Sequence, residues 1–274
     1  MTLFTTLKLI DRSPGVLQIT MARPDVFNAF DEIMIEELAQ AFDHANSRDD
    51  VQVIVLASEG KHFSAGADLK WMTRASQASV EWNLADARRL ASMLDCIDTS
   101  SKPVVARIQG AAMGGGFGLV CVCDIAIATS NASFAMSEVK LGILPATIGP
   151  YVINAIGKRH ARRLALTAER INAEAALKIA LVNEVVETDG LNAPDALNAL
   201  DMAVNRTVTA LLANSPQAML ETKQLFAQLH IGPITEQVRE LTAQTISRVR
   251  GTDEAREGFN AFLNKRPASW FEKK

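Results

Sequence analysis

The sequence predicts an α/β fold, and three observations carry that prediction. Short apolar, β-branched runs at Val53–Ala57, Pro103–Ile108 and Ile125–Ala128 read as buried strands. Between them lie stretches with helical spacing, so strand and helix signals alternate as far as about residue 186. From Pro194 onward the strand signals stop and only helical patterns remain. The chain therefore divides into an α/β core over 1–193 and a C-terminal helical region over 194–274.

In chain order, Leu7–Asp11 and Val16–Thr20 flank Ser13-Pro14-Gly15 and predict a hairpin. Asp31 is placed to cap a helix that carries Ile35, Leu38, Phe42 and Ala45 on one face. The strand at Val53–Ala57 runs into KHFSAGADL, Lys61–Leu69, a loop of small residues in which Gly66 permits a tight turn. Trp71–Ser79 is polar and rich in small residues, which reads as a loop: a mobile lid or an ordinary surface connection. Val80–Cys96 reads as a helix with Leu84, Ala87, Leu90, Ala91 and Leu94 along one side. After the strand ending at Ile108 come a small-residue turn (Gly110–Met113), three glycines (Gly114–Gly116) and an apolar segment, Phe117–Val122. Asp124 opens the next strand. Helices are then expected over 195–214, 216–230, 233–249 and 252–264.

Composition narrows the function. A net charge of −3 and a pI near 5.9 give no electrostatic footprint for nucleic acid. No stretch approaches the ~18 consecutive apolar residues of a membrane span, and the opening MTLFTTLKLI has no long apolar run, so neither a membrane anchor nor a cleaved leader is expected. Cys96, Cys121 and Cys123 suggest reduced, buried thiols in a cytoplasmic protein rather than a disulfide framework. The four histidines (His44, His62, His160, His230) are scattered, and no metal site is expected.

The chemistry concentrates between Pro103 and Pro145. A strand feeding a glycine-rich turn and then a helix leaves backbone N–H groups unpaired and available to an anion. Twenty residues beyond Gly118 stands Glu138, a lone carboxylate among Phe134, Met136, Val139, Leu141 and Ile143. The string is neither a phosphate-binding Walker loop nor a dinucleotide fingerprint, because it has no G-K-[ST] and lacks the G-x-G-x-x-G spacing. Three glycines also serve close packing of a helix on a sheet, and a lone glutamate also serves as a solvated strand edge. The second small-residue loop, Lys61–Leu69, favours the functional reading, since two such strand–loop units can each aim one N–H at a single carbonyl oxygen.

With these landmarks the sequence resembles the enoyl-CoA hydratase/isomerase (crotonase) superfamily. They are Arg23-Pro24…Asn28-Ala29, Phe63–Leu69, Lys102-Pro103, Gly110…Gly114-Gly115-Gly116, Cys123-Asp124, Glu138…Leu141-Gly142…Pro145 and Leu166-Thr167…Ile171, in family order. The resemblance implies a crotonase-like ββα spiral core whose C-terminal helices build a homotrimer or a hexamer. It implies an acyl-CoA substrate, with coenzyme A as part of that substrate and no separate cofactor. By the same resemblance the backbone N–H groups of Ala67 and Gly115 form an oxyanion hole, and Glu138 is the acid–base residue. Val26, Ala65, Gly66, Asp68 and Leu69 are implied to hold the pantetheine and adenine ends of coenzyme A and Gly114 and Gly118 to contact the substrate, with Phe262 and Lys265 covering the nucleotide from an adjacent subunit. Asp25 stands where many relatives carry a lysine.

Gly118 is the important departure, because hydratases of the superfamily place a second glutamate there. Water addition is shared easily by two acids, whereas double-bond migration needs one. Local chemistry thus points to an isomerase. The run from Phe117 to Ile171 looks most like the bacterial methylglutaconyl-CoA hydratase-like branch, which implies hydration of a 2-enoyl-CoA such as 3-methylglutaconyl-CoA, with Lys140 a candidate partner for a distal carboxylate. Hydration is the reading adopted, with Δ3–Δ2-enoyl-CoA isomerisation as its rival. An acyl-CoA-binding protein without turnover is the alternative from another class.

Overall fold

The computed structural model describes residues 4–229 and 232–272, so the expected helix end at His230 lies outside the described residues. The chain opens with the hairpin β1 (Leu7–Ser13) and β2 (Gly15–Met21), whose turn uses Gly15 at φ +82°. Helix α1 (Glu32–Ser47) is capped by Asp31, whose carboxylate accepts the Met34 N–H at 2.9 Å. Then follow β3 (Val51–Ser58), α2 (Leu69–Gln77), α3 (Val80–Asp98), β4 (Val104–Ile108), β5 (Ala111–Met113), α4 (Gly115–Cys121), β6 (Ile125–Thr129) and β7 (Ser133–Ala135). A 3-10 turn at Glu138–Leu141 leads to α5 (Gly149–Thr167), which is interrupted at Gly157, then to β8 (Ile171–Asn172), α6 (Ala173–Lys178) and β9 (Glu184–Val186). Helices α7 (Ala193–Leu212), α8 (Pro216–Gln228), α9 (Glu236–Arg250), α10 (Asp253–Leu263) and α11 (Ser269–Glu272) complete the described chain.

Two sheets stack through this order. The larger runs β1-β2-β3-β4-β6-β9, antiparallel in the hairpin and parallel from β2 onward. The smaller runs β5-β7-β8, and single bridges Ser64–Ala112 and Phe30–Ala67 sit beside it. Strands β2, β3, β4 and β6 each hand the chain to a short second strand or bridge before the next helix, which is the spiral ββα turn of the expected fold. The parallel strands β3 and β4 are buried on both faces, in keeping with their Val/Ile/Leu-rich sequences.

One core fills the space between the sheets and helices α1, α3, α4 and α5, with Phe30, Phe42, Phe63, Phe117 and Phe134 fully enclosed. A second lies on the opposite face of the large sheet, where Val16, Val53, Val55, Val105 and Ile127 meet Leu200, Val204 and Val208 of α7. Arg107 of β4 pins that helix: its guanidinium Nε is 2.8 Å from Asp201 and it also donates to the Leu197 carbonyl. Helix α7, which the sequence reading assigns to the C-terminal helical region, therefore covers the sheet itself. Helices α8 to α10 bury little: Glu221 and Ala261 are their buried residues.

The stretch read as a loop at Trp71–Ser79 is mostly helix. Asp68 caps α2 by accepting the N–H groups of Lys70 and Trp71, and Ser79 caps α3 in the same way through Trp82. The turn expected at Gly110–Met113 contains strand β5.

Candidate active site

The two small-residue loops converge because the backbone of one is laid against that of the other. Phe30 donates its N–H to the Gly66 carbonyl and accepts from the Asp68 N–H, both at 2.7 Å. This bridge engages the residues on either side of Ala67 and leaves the Ala67 N–H with no partner among the described residues. Gly115 is the first residue of α4, so its N–H has no intrahelical acceptor, and none is found elsewhere in the described residues. Gly66 lies at φ +89°, and a Cβ there would fall 2.7 Å from the Met113 carbonyl oxygen. A Cβ on Gly116 would fall 2.8 Å from Ser64 Cβ. Only glycine allows the loops to approach this closely.

Arg23 and Asn28 hold the first loop from below. The Arg23 guanidinium bonds the Ala29 carbonyl at 2.6 Å and pairs with Asp31 at 3.0 Å and Asp68 at 3.1 Å. Asn28 accepts the Arg23 N–H and donates to the carbonyls of Glu59 and His62. Burial would raise the Asp68 carboxyl, but the N–H groups of Lys70 and Trp71 and the Arg23 charge outweigh it and hold the pKa below the usual value. His62 accepts the Ala111 N–H through Nδ1; burial first, then Lys61 and Arg170, keep its pKa low.

Ala67, Gly115 and Glu138 all line one cavity of about 310 Å³. Its walls are Phe30, then Trp71, Met72 and Ala75 of α2, then Asn83, Asp86, Ala87 and Leu90 of α3, and the segment Ile143–Ile148. Glu138 opens the 3-10 turn after β7, and a Cβ on Gly114 would lie 3.3 Å from its Oε1, so the carboxylate abuts the backbone beside Gly115. Its Oε2 is buried without a hydrogen-bond partner. Burial among apolar groups pushes the Glu138 pKa up, which suits a proton carrier near neutral pH.

The other residues expected at the site lie around this cavity rather than in its wall. Gly66 and Gly114 are buried in the loops that set the two N–H groups. Asp68 is occupied as the α2 cap and the Arg23 partner. Val26, Ala65 and Leu69 are exposed on the loop surface, and Lys140 is exposed on the 3-10 turn. Phe262 and Lys265 sit exposed at the end of α10. Gly118 is a correction. It is buried beneath Ile148, and a Cβ there would fall 2.3 Å from Ile148 Cγ2, so it presents nothing to a substrate. Ile148 takes that place in the wall.

Sequence reasoning offered Trp71–Ser79 as a lid but did not assign the α3 residues to the wall. Their signal was present: Asn83, Asp86, Ala87 and Leu90 follow the i, i+3, i+4, i+7 spacing of a single helix face.

Comparison with known proteins identifies the family. The family described as "Enoyl-CoA hydratase/isomerase" matches residues 11–273. An enoyl-CoA hydratase structure from Shewanella pealeana superposes with a TM-score of 0.90 at 42% identity, covering 97% of this chain and 96% of that one. The 2,3-dehydroadipyl-CoA hydratase of Escherichia coli is 29% identical over 94% of this chain and 96% of its own. The trans-2-decenoyl-[acyl-carrier-protein] isomerase of Streptococcus mutans is 30% identical over 92% of this chain and 93% of its own. Relatives of both reaction types thus share the whole length of a crotonase fold, and the chain belongs to the enoyl-CoA hydratase/isomerase family.

Proposed function

We propose that the protein hydrates a 2-enoyl-CoA thioester. The observation that carries the reading is the cavity itself: two unpaired backbone N–H groups and one desolvated carboxylate share an otherwise mostly apolar chamber. The thioester oxygen would sit between the Ala67 and Gly115 N–H groups, each worth on the order of 10²–10³ in rate when charge develops on that oxygen. Glu138, favoured in its protonated form by burial, would deliver a proton to C2 of the resulting enolate. The unpaired carboxylate also favours an enzyme over a passive acyl-CoA carrier, because a buried acceptor without a partner costs stability. The reaction calls on no group beyond the substrate's own coenzyme A.

The cavity holds about ten water-sized volumes of ~30 Å³, enough for a short acyl chain with the carrier outside. The loop surface at Val26, Ala65 and Leu69 is the proposed path of that carrier, with Phe262 and Lys265 supplied by a neighbouring subunit of a homotrimer or hexamer. Phe226, Phe259, Phe262 and Leu263, all exposed on the C-terminal helices, support such an assembly. A branched 3-methylglutaconyl chain is the acyl group that the resemblance implies. Its distal carboxylate would face two acidic side chains and no cation among the described lining residues, so a neutral 3-methyl-branched chain suits the lining better.

Isomerisation is the second reading, and Ile148 favours it, since α4 supplies no second carboxylate. The deciding experiment follows loss of enoyl absorbance with straight and 3-methyl-branched 2-enoyl-CoA, beside conversion of a 3-enoyl-CoA. Rapid hydration upholds the proposal. Clear isomerisation with no hydration of any 2-enoyl-CoA overturns it.

A further inference from the structure

Hydration needs a group to hold the attacking water, and position 118 does not provide one. Among the described residues lining the cavity, the titratable side chains are Glu138 and Asp86. Asp86 projects from the α3 wall with its side chain only 7% exposed. Arg89, one turn along the helix, donates to Oδ1 at 2.8 Å, while no described residue donates to Oδ2. An i, i+3 ion pair on a helix surface adds only ~0.2–0.5 kcal/mol. Stability alone therefore gives little reason to enclose a carboxylate between Asn83, Ala87 and Leu90. Helix α3 is also well anchored: Met93, Leu94 and Ile97 are buried in the main core, and Asn83 Nδ2 donates to the Ala75 carbonyl of α2 at 3.0 Å.

We propose that Asp86 is the second acid–base group of this site, serving the water at C3 while Glu138 serves C2. The inference rests on the hydratase reading. In the forward direction Asp86 Oδ2 accepts a proton from water as the water oxygen bonds to C3. The C2–C3 π pair moves to C1–C2, and the thioester oxygen takes the charge at the Ala67 and Gly115 N–H groups. Glu138 then gives its proton to C2, so one water has added as H and OH. Glu138 is left ionised and Asp86 protonated, and a proton returned from Asp86 to Glu138 through water restores both. This pair comes from α3 and the 3-10 turn, so it does not use α4, where Ile148 leaves no room.

The test separates the two carbons. Exchange of the C2 proton of a saturated acyl-CoA in D₂O, followed by NMR, needs Glu138 and the oxyanion donors but no attacking water. Hydration of the matching 2-enoyl-CoA needs all of them. Asp86→Asn should lower the ratio of hydration to exchange at least ~10²-fold, the size expected for one acid–base group. Asp86→Glu should restore part of that ratio. An unchanged ratio in Asp86→Asn, with both rates intact or falling together, overturns the proposal while leaving the hydratase reading in place. Absence of hydration by the unmodified protein overturns both.

Discussion

The contact between Gly118 and Ile148 gives a prediction whose size follows from the geometry. A methyl at position 118 would stand 2.3 Å from Ile148 Cγ2 and 2.9 Å from Ile148 Cβ. The first is roughly 1.2 Å inside the ~3.5 Å of a comfortable carbon contact. Ile148 is enclosed, at 2% exposure, and cannot swing into solvent. Gly118→Ala should therefore cost the ~1–3 kcal/mol of overpacking, partly offset by ~0.5–1 kcal/mol from replacing glycine inside a helix. Ile148→Ala alone should cost ~2–5 kcal/mol through the cavity it leaves. In the double variant the worst contact has gone while the helix gain remains, so the pair should be more stable than the sum by about 1–2 kcal/mol. Urea unfolding of the four proteins at equal m-values measures this. Additivity within ~0.5 kcal/mol would refute the claim that Ile148 occupies the space above Gly118. The same clash faces Gly118→Glu with a longer side chain, so that exchange should not install a working second carboxylate.

Glu138→Gln should lower turnover by ~10²–10⁴. Because burial raises the Glu138 pKa, the native state holds that proton more tightly than the unfolded chain, and the associated stability is lost as pH rises through the raised value. Melting temperatures should then shift in favour of the glutamine variant as pH rises above the ordinary carboxylate range, and a constant gap would contradict the assignment. Asp68 has the opposite sign. Its lowered pKa contributes stability above the usual carboxylate range that is lost as pH falls through the folded value. Asp68→Ala should cost ~0.5–2 kcal/mol as a lost helix cap, and acid unfolding should show a correspondingly smaller pH dependence. Pentanoyl-CoA and glutaryl-CoA differ at the chain end, and calorimetry should find the neutral thioester binding at least ~10-fold tighter, because two acids and no cation line the described wall. Tighter binding of glutaryl-CoA would show that a cation reaches the acyl chain from elsewhere.

Much of this architecture was legible where one residue type has one physical use. Asp31 before an apolar periodic run marked the start of α1, and Ser13-Pro14-Gly15 between alternating runs marked the hairpin. The second sheet was not legible, because β5, β7 and β8 are two or three residues long and cannot display a period. Helix α2 was missed for a related reason: Trp71 is its one buried residue among those described, so no apolar stripe announces it. The cap Asp68 at its start, and Ser79 capping the next helix, were its readable bounds. Asp86 was passed over because an acid inside an amphipathic helix is ordinarily solvated, and its burial depends on α2 and the Ile143–Ile148 segment folding over it. The meaning of Gly118 lay thirty residues away at Ile148, a distance that no local pattern spans.

The parts of the site that could be read early are those with the least side-chain chemistry. An oxyanion donor made from backbone has no functional group to recognise, so it appears in sequence as a requirement for smallness. Gly66 and Gly116 are small because a Cβ would strike Met113 O and Ser64 Cβ; Gly115 is small because a Cβ would strike the Phe30 ring at 2.6 Å. These contacts fix the two loops before any substrate arrives. The Arg23–Asn28–Asp68 network fixes the first loop a second time. Such over-determination lets Glu138 keep a buried oxygen without a partner, since the surrounding loops cannot relax to supply one. The same rigidity implies that substitution of these glycines should act by moving donors rather than by removing a reacting group. Activity at those positions should therefore depend on side-chain volume, while at Glu138 and Asp86 it should depend on charge.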